Sequence, residues 1–168
     1  MTCSGLRAQA AHNSDPQQSC RKFVKDFYDW YIPKSPKEFS SPDRAMKRRK
    51  DAFSPVLLQR LREDFEAQAK VAGEIVGLDS DPFLNCQDPG ERYAVGKVTL
   101  KGDRCFVEVY GVFSGTKSPK PDVVPELLFS DGRWRFDNFH YGRSKYSEDE
   151  NLLRTLKLLR EDRRKHPN

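Results

Sequence analysis

A chain of 168 residues, 36% hydrophobic and 33% charged, has the size of one domain and needs no metal or disulfide to bury a core. Its net charge of +5 comes from 30 basic and 25 acidic residues that are intermixed, which argues against a nucleic-acid-binding face. No run of about 18 apolar residues occurs, so no membrane span is predicted.

Residues 1–18 are small and polar, and we expect a disordered tail or the remnant of a signal peptide. Ala8-Gln9-Ala10-Ala11 has the small-x-small form of a signal-peptidase site, but no apolar segment precedes it. Two interpretations stay open. If the true start lies upstream of Met1, the protein is expected to be periplasmic or secreted; if Met1 is the start, it is expected to be cytoplasmic.

Three helices are predicted in the first half of the chain, because polar N-cap residues precede segments with helical periodicity. The first runs from Ser19 to Tyr31, the second opens at Ser41-Pro42, and the third spans residues 55–76 after another Ser-Pro pair. Gly77 is expected to close the third helix in a left-handed conformation. The basic run Lys47-Arg48-Arg49-Lys50 is interpreted as a solvated helix face.

Four strands are predicted in the second half, where apolar and polar residues alternate. They cover residues 92–100, 104–113, 123–129 and 133–141, and glycine-containing turns join them into two hairpins. Pro125 has no N–H and is therefore expected at an edge or a bulge. Ser147 and Glu150 occupy capping-box positions, which predicts an amphipathic helix over residues 147–168.

This order of elements predicts an α+β fold in which the N-terminal helices pack on one face of an antiparallel sheet. Residues 19–146 are assigned to this domain, and the C-terminal helix follows it. Residues 77–90, here named the connector, join the helical part to the sheet.

The connector is rich in side chains that bond to the local backbone and favour turns. Its carboxylates are Asp79, Asp81 and Asp88. Phe83 and Leu84 interrupt this polarity and are expected to enter the core. An EF-hand is excluded because Phe83, Leu84 and Gly90 stand where that loop needs its fifth, sixth and twelfth residues. A looser Ca²⁺ site at the three aspartates stays open, but we predict no metal and no cofactor.

The four cysteines (Cys3, Cys20, Cys86 and Cys105) show no metal-binding spacing. Cys86 in the connector and Cys105 in a strand could meet. The preferred interpretation is that these two are buried thiols, which behave as small hydrophobic groups.

Several segments resemble a known bacterial family. They are Phe53-Ser54-Pro55, the stretch from Leu78 to Asp88, Tyr93, and Trp134-Arg-Phe-Asp-Asn-Phe139. Together they are similar to domain-of-unknown-function family 3828, whose members are small and often exported or lipid-anchored. The resemblance implies a fold similar to the nuclear transport factor 2 and cystatin-like cones, in which a curved sheet wraps around helices. It implies no reaction.

We expect a non-enzymatic accessory module that binds an envelope protein or a small apolar ligand. Its candidate binding residues are Asp79, Asp81, Asn85, Asp88, Tyr93, Tyr110, Trp134 and Arg135. The alternative is a cone-fold isomerase or dehydratase with Asp137 or His140 as base. These two residues are three apart on a strand and should point to opposite faces unless a bulge intervenes. A deep pocket beside Tyr93 or Tyr110 would favour the enzyme, and a filled interior would favour binding.

Overall fold

The structure, a computed structural model, describes residues 15–35, 38–141 and 150–166. The helices are α1 (Pro16–Tyr31), α2 (Pro42–Arg48), α3 (Pro55–Ala69) and α4 (Leu152–Lys165), with a short 3-10 helix at Lys50–Ala52. The strands are β1 (Arg92–Lys101), β2 (Arg104–Phe113), β3 (Thr116–Lys117), β4 (Val124–Ser130) and β5 (Arg133–His140). Among the described helices, none is both long and apolar enough to cross a membrane.

The strands form one curved antiparallel sheet in the order β1-β2-β4-β5, and the short β3 pairs with β2. Helix α1 packs against β1 and β2, while α3 and α4 pack against β5. The buried side chains of these helices join those of the strands in a single core cluster. The predicted α+β fold, with helices on one face of the sheet and a C-terminal helix, is confirmed.

Both predicted hairpins are present, and their turns have the expected backbone. Asp131 and Gly132 both have positive φ, +50° and +74°, as a tight primed turn requires. Gly102 turns the first hairpin with φ +63°. Pro125 lies next to an irregularity in the register of β4 and β5, between Glu126 and Leu127, which agrees with the predicted bulge.

The boundaries of α1 and α3 differ from the prediction. Helix α1 begins at Pro16, because Asp15 rather than Ser19 accepts the capping hydrogen bond, from the N–H of Gln17. Helix α3 ends at Ala69 instead of residue 76, because the Gln68 side chain accepts from the N–H groups of Val76 and Gly77 and holds the following chain in a non-helical path.

The predicted role of Gly77 is wrong, because its φ is not in the left-handed region. A Cβ there would lie 2.8 Å from Oδ2 of buried Asp64, so the position needs a glycine for close approach. The other N-caps at Ser41 and Ser54 are confirmed. Helix α4 begins at Leu152, later than predicted, because Asn151 caps it; Glu150 lies before the helix and is not part of a capping box, and the predicted cap Ser147 lies outside the described residues.

Aromatic rings fill the interior between the helices and the sheet. Phe27 of α1 contacts Phe53, Phe83 and Phe136, with ring centroids 4.7–5.9 Å apart. Phe83 and Leu84 are at most 1% exposed, so the connector does enter the core as predicted. Trp30, at the rim, holds the basic segment in place, since the Arg49 guanidinium lies 4.8 Å from its ring centroid.

The cysteine interpretation is corrected by the structure. Cys105 is not a free thiol and does not meet Cys86; it forms a disulfide with Cys20 that links β2 to α1 across 85 residues of sequence. Cys86 is free, and its Sγ lies 3.5 Å from the Tyr93 hydroxyl. Cys3 lies outside the described residues.

Candidate binding face

The sheet surface turned away from the helices, here named the open face, brings together four of the ten candidate residues. They are Tyr110, Arg135, Asp137 and His140. The open face also carries Lys101, Arg104, Phe106, Glu126 and Leu128, which the strand register places beside them. The alternate residues of β2, including Cys105, Val107 and Val109, are fully buried on the opposite, helix-covered side.

A bulge in β5 places Asp137 and His140 on the same face. The register passes from Glu126–Asn138 directly to Leu127–Phe136, so Asp137 is the extra residue. Asn138 and Phe139 are then buried in succession, and His140 returns to the open face. The expectation that the two side chains point apart is therefore corrected by the bulge, which a strict alternation cannot predict.

An ionic network occupies the centre of the open face. The Arg104 guanidinium donates to Glu126 at 2.5 Å and to Asp137 at 2.8 Å. The other carboxylate oxygen of Glu126 lies 2.7 Å from His140 Nε2. The hydrogen bond with His140 lowers the pKa of Glu126, and the bond with Arg104 acts in the same direction. The Asp137 carboxylate and the His140 imidazole are thus both engaged within the sheet.

Glu126 makes the stability of the protein depend on pH. Its folded-state pKa lies below the usual value of 4.5, so its stabilising contribution is full above that value and is lost as the pH falls through the lowered pKa. We expect Glu126→Gln to destabilise the protein by about 1–2 kcal/mol at pH 7 and by much less near pH 3. Urea unfolding at both pH values checks this, with exposed Glu66→Gln as the control. An equal cost at both values would contradict the role of the Glu126 charge.

Tyr110 is held on the open face by contacts to its hydroxyl and to its ring. Its hydroxyl donates to Glu108 at 2.7 Å, and this hydrogen bond raises the pKa of the tyrosine. The Lys117 ammonium lies 4.4 Å from the ring centroid. Gly96 in the neighbouring strand makes room for the ring, because a Cβ there would lie 2.5 Å from a ring carbon. The weak strand pattern around Gly96 is explained by this packing.

Two of the four candidate residues in the connector, Asp81 and Asn85, stabilise the fold. Asp81 accepts from the Tyr31 hydroxyl at 2.6 Å and from the N–H of Phe83, and burial raises the pKa of its carboxyl. Asn85 donates to the carbonyl of Asp122. Asp79 and Asp88 are exposed. In the part of the chain that the structure describes, no group of three or more acidic, His or Cys side chains is placed to hold a metal.

Tyr93 and Trp134 also lie away from the open face. Tyr93 borders a surface cleft of about 520 Å³ with exposed Asp29 and Glu91, but its hydroxyl turns inward and accepts from the N–H of Gly90. The indole N–H of Trp134 donates to Ser19 in α1. The predicted binding role of these side chains is thus not supported by a shared site with Tyr110 and Arg135.

Sequence reasoning missed Arg104, Glu126 and Lys101 as members of a site. Each belongs to a different strand, and no motif along the chain contains all three. The available signal was the hairpin register: the first turn pairs Lys101 with Arg104, as the structure confirms. The pairing of β2 with β4, which adds Glu126, joins strands of different hairpins and has no local signal.

Comparison with known proteins shows the fold. No family model and no curated protein matches the chain. A chain of the type VI native effector–immunity complex Tae3–Tai3 from Ralstonia pickettii is similar in structure, with a TM-score of 0.53, 24% identity, 78% of this chain covered and 100% of the other. The selenomethionine form of that complex gives a TM-score of 0.49 at 22% identity, covering 74% and 97%. A structure described as a putative NTF2-like transpeptidase from Campylobacter jejuni has a TM-score of 0.26 and 17% sequence identity, with 74% of this chain and 98% of that chain covered.

Proposed function

We propose that this chain is an exported, non-enzymatic module that binds another folded protein through its open face. The observation that carries the proposal is that the two sides of the sheet differ: aromatic rings fill the helix-covered side, whereas aromatic and charged side chains together remain partly exposed on the open face. Phe27, Phe83 and Phe136 fill the helix-covered side. Phe106, Tyr110 and Arg104 remain partly exposed on the other side, and aromatic residues and arginine are enriched at protein interfaces.

The filled interior favours a protein partner over the small apolar ligand that the sequence left open. Ligand pockets are concave and bury most of the ligand. Here the space between helices and sheet is occupied by rings in contact, with Phe83, Phe136 and Phe139 fully buried. A sheet face bearing Arg, Tyr and Phe fits a protein surface better than a small molecule.

The Cys20–Cys105 disulfide supports the export proposal. Disulfides persist in oxidising compartments and are rare in the cytosol. Both sulfurs are in fully buried residues that belong to the core, so the bond is part of the folded domain. We therefore propose a periplasmic or secreted location.

The similar structure supplies the first kind of partner to test. That chain belongs to a complex between an effector and an immunity protein. By analogy of fold, we propose that an effector-type or immunity-type protein is the partner here. We also propose that the chain belongs to domain-of-unknown-function family 3828 and to the nuclear transport factor 2 and cystatin-like cones. The packing of the helices on one face of a curved sheet supports this assignment.

The second candidate function is the isomerase or dehydratase. The bulge favours it, since Asp137 and His140 share a face. Against it, the Asp137 carboxylate is bound by Arg104 and the imidazole by Glu126, on an open surface that does not exclude water from a substrate.

Site-specific photo-cross-linking tests the binding function. A photoreactive phenylalanine analogue is placed at Tyr110 on the open face, and a matched variant carries it at exposed Gln59 on α3. In cells of the source organism, we expect a discrete cross-linked protein with the first variant and none with the second. No adduct at position 110, or the same adducts at both positions, would contradict binding through the open face.

A further inference from the structure

One row of cross-strand neighbours on the open face is basic. The register aligns Lys101 of β1 with Arg104 of β2, Arg104 with Leu128 of β4, and Leu128 with Arg135 of β5. At the usual strand separation the row spans about 14 Å. Arg133, two residues before Arg135 on β5, faces the same way and is exposed. Three cations and one leucine therefore cross the whole sheet at the end that carries the hairpin turns.

This arrangement costs stability, because like charges directly opposite each other on neighbouring strands repel. Lys101 and Arg104 are such a pair. The repulsion is relieved for Arg104, which donates to Glu126 and Asp137. Among the described residues, no carboxylate lies within salt-bridge distance of Lys101, Arg133 or Lys117. Within the described residues, these three cations thus have no acidic partner.

On the strands of the open face, the acidic side chains that the structure describes are, in contrast, already bound. Glu126 and Asp137 hold Arg104, Glu108 accepts from Tyr110, and Asp131 in the turn lies 3.2 Å from Arg135. Two of the cations without acidic partners are also fixed in place. The Lys101 ammonium lies 5.2 Å from the Phe106 ring centroid, and that of Lys117 lies over Tyr110. On the described strands, the charge without an acidic partner is therefore positive, and two of its cations are held at defined positions.

We infer that the row of Lys101, Arg104, Leu128 and Arg135, with Arg133 beside it, docks an acidic surface of the protein partner. The inference rests on the proposed function and adds the chemistry of the partner: carboxylates facing Lys101 and Arg133 at the two ends of the row, and an apolar side chain over Leu128. Complementary charge of this kind speeds association and selects the partner.

Two fluorescent peptides, hexaglutamate and hexaglutamine, and a six-nucleotide single-stranded DNA serve as probes in anisotropy titrations at low and high salt. We expect hexaglutamate to bind more tightly than the other two and to weaken as salt increases. Lys101→Glu/Arg133→Glu should weaken its binding at least tenfold, and Lys101→Gln/Arg133→Gln should weaken it less. The control Arg62→Glu/Lys70→Glu makes the same charge change on α3 and should leave it within twofold.

Tighter binding of the oligonucleotide would overturn the inference in favour of a phosphate-binding row. Equal binding of the two peptides, or equal effects of the two charge-reversed variants, would overturn it as well. The cross-linked adduct at position 110 separates this failure from failure of the proposed function. If the adduct still forms in the Lys101→Glu/Arg133→Glu variant, the open face binds a protein but the acidic surface is wrong. If no adduct forms when both cations are present, the proposed binding function itself is wrong.

Discussion

Replacing both Cys20 and Cys105 with alanine is expected to lower the free energy of unfolding by about 2–5 kcal/mol. The disulfide joins residues 85 positions apart, so its loss frees a long loop in the unfolded chain, and the two buried sites also lose packing. Urea unfolding of the double variant against the unaltered protein measures the effect. Cys86→Ala, at the free half-buried cysteine, is the control and should cost less.

The disulfide itself can be seen directly. Proteolysis of the protein under non-reducing conditions is expected to yield a linked pair of peptides containing Cys20 and Cys105. If both cysteines react with a thiol reagent once the protein, isolated from its native compartment, is unfolded without reductant, the bond would be contradicted and the export proposal would lose this support.

Asp64→Ala is expected to destabilise the protein by about 3–5 kcal/mol, the usual cost of breaking a buried ion pair. Asp64 is 1% exposed, and its carboxylate lies 2.6 Å from Arg163 of α4 and accepts from the N–H of Leu78 at 2.9 Å. One side chain therefore ties α3 to the connector and to the C-terminal helix. Among the described residues, its removal leaves Arg163 with only the carbonyl of Val76, at 2.8 Å.

The neighbouring residue supplies the control. Glu63 of α3 also pairs with arginines, Arg60 at 2.9 Å and Arg160 at 3.8 Å, but its side chain is 37% exposed, against 2% for that of Asp64. Glu63→Ala should therefore cost no more than about 1 kcal/mol in the same urea titration. If the two variants unfold at the same urea concentration, the docking of α4 through Asp64 is wrong.

Most of the secondary structure could be predicted from short segments of the sequence. Ser41-Pro42 and Ser54-Pro55 started α2 and α3 where expected, and Asp131-Gly132 turned the second hairpin. Each depends on backbone chemistry within a few residues. The position of Phe83 in the core also followed from sequence, because an apolar residue within a polar turn has few other places to go.

The predictions failed where a feature depends on contacts between residues that are far apart in the sequence. Cys20 meets Cys105 only because α1 lies across β2, and nothing near either cysteine indicates the other. Gly77 looked like the end of a helix, but it is a glycine because Asp64 approaches it. The site was hidden for the same reason, since the bulge at Asp137 depends on the pairing of two strands and cannot be read from alternation.

The most direct measurement is hydroxyl-radical footprinting of the chain bound to the protein captured from position 110. Binding through the open face predicts that Phe106, Tyr110 and His140 become protected from oxidation, while exposed Phe39 near α2 and partly exposed Phe65 of α3 react as before. Protection of Phe39 and Phe65 with Phe106 and Tyr110 unchanged would place the partner on the helices and contradict the open face as the binding surface.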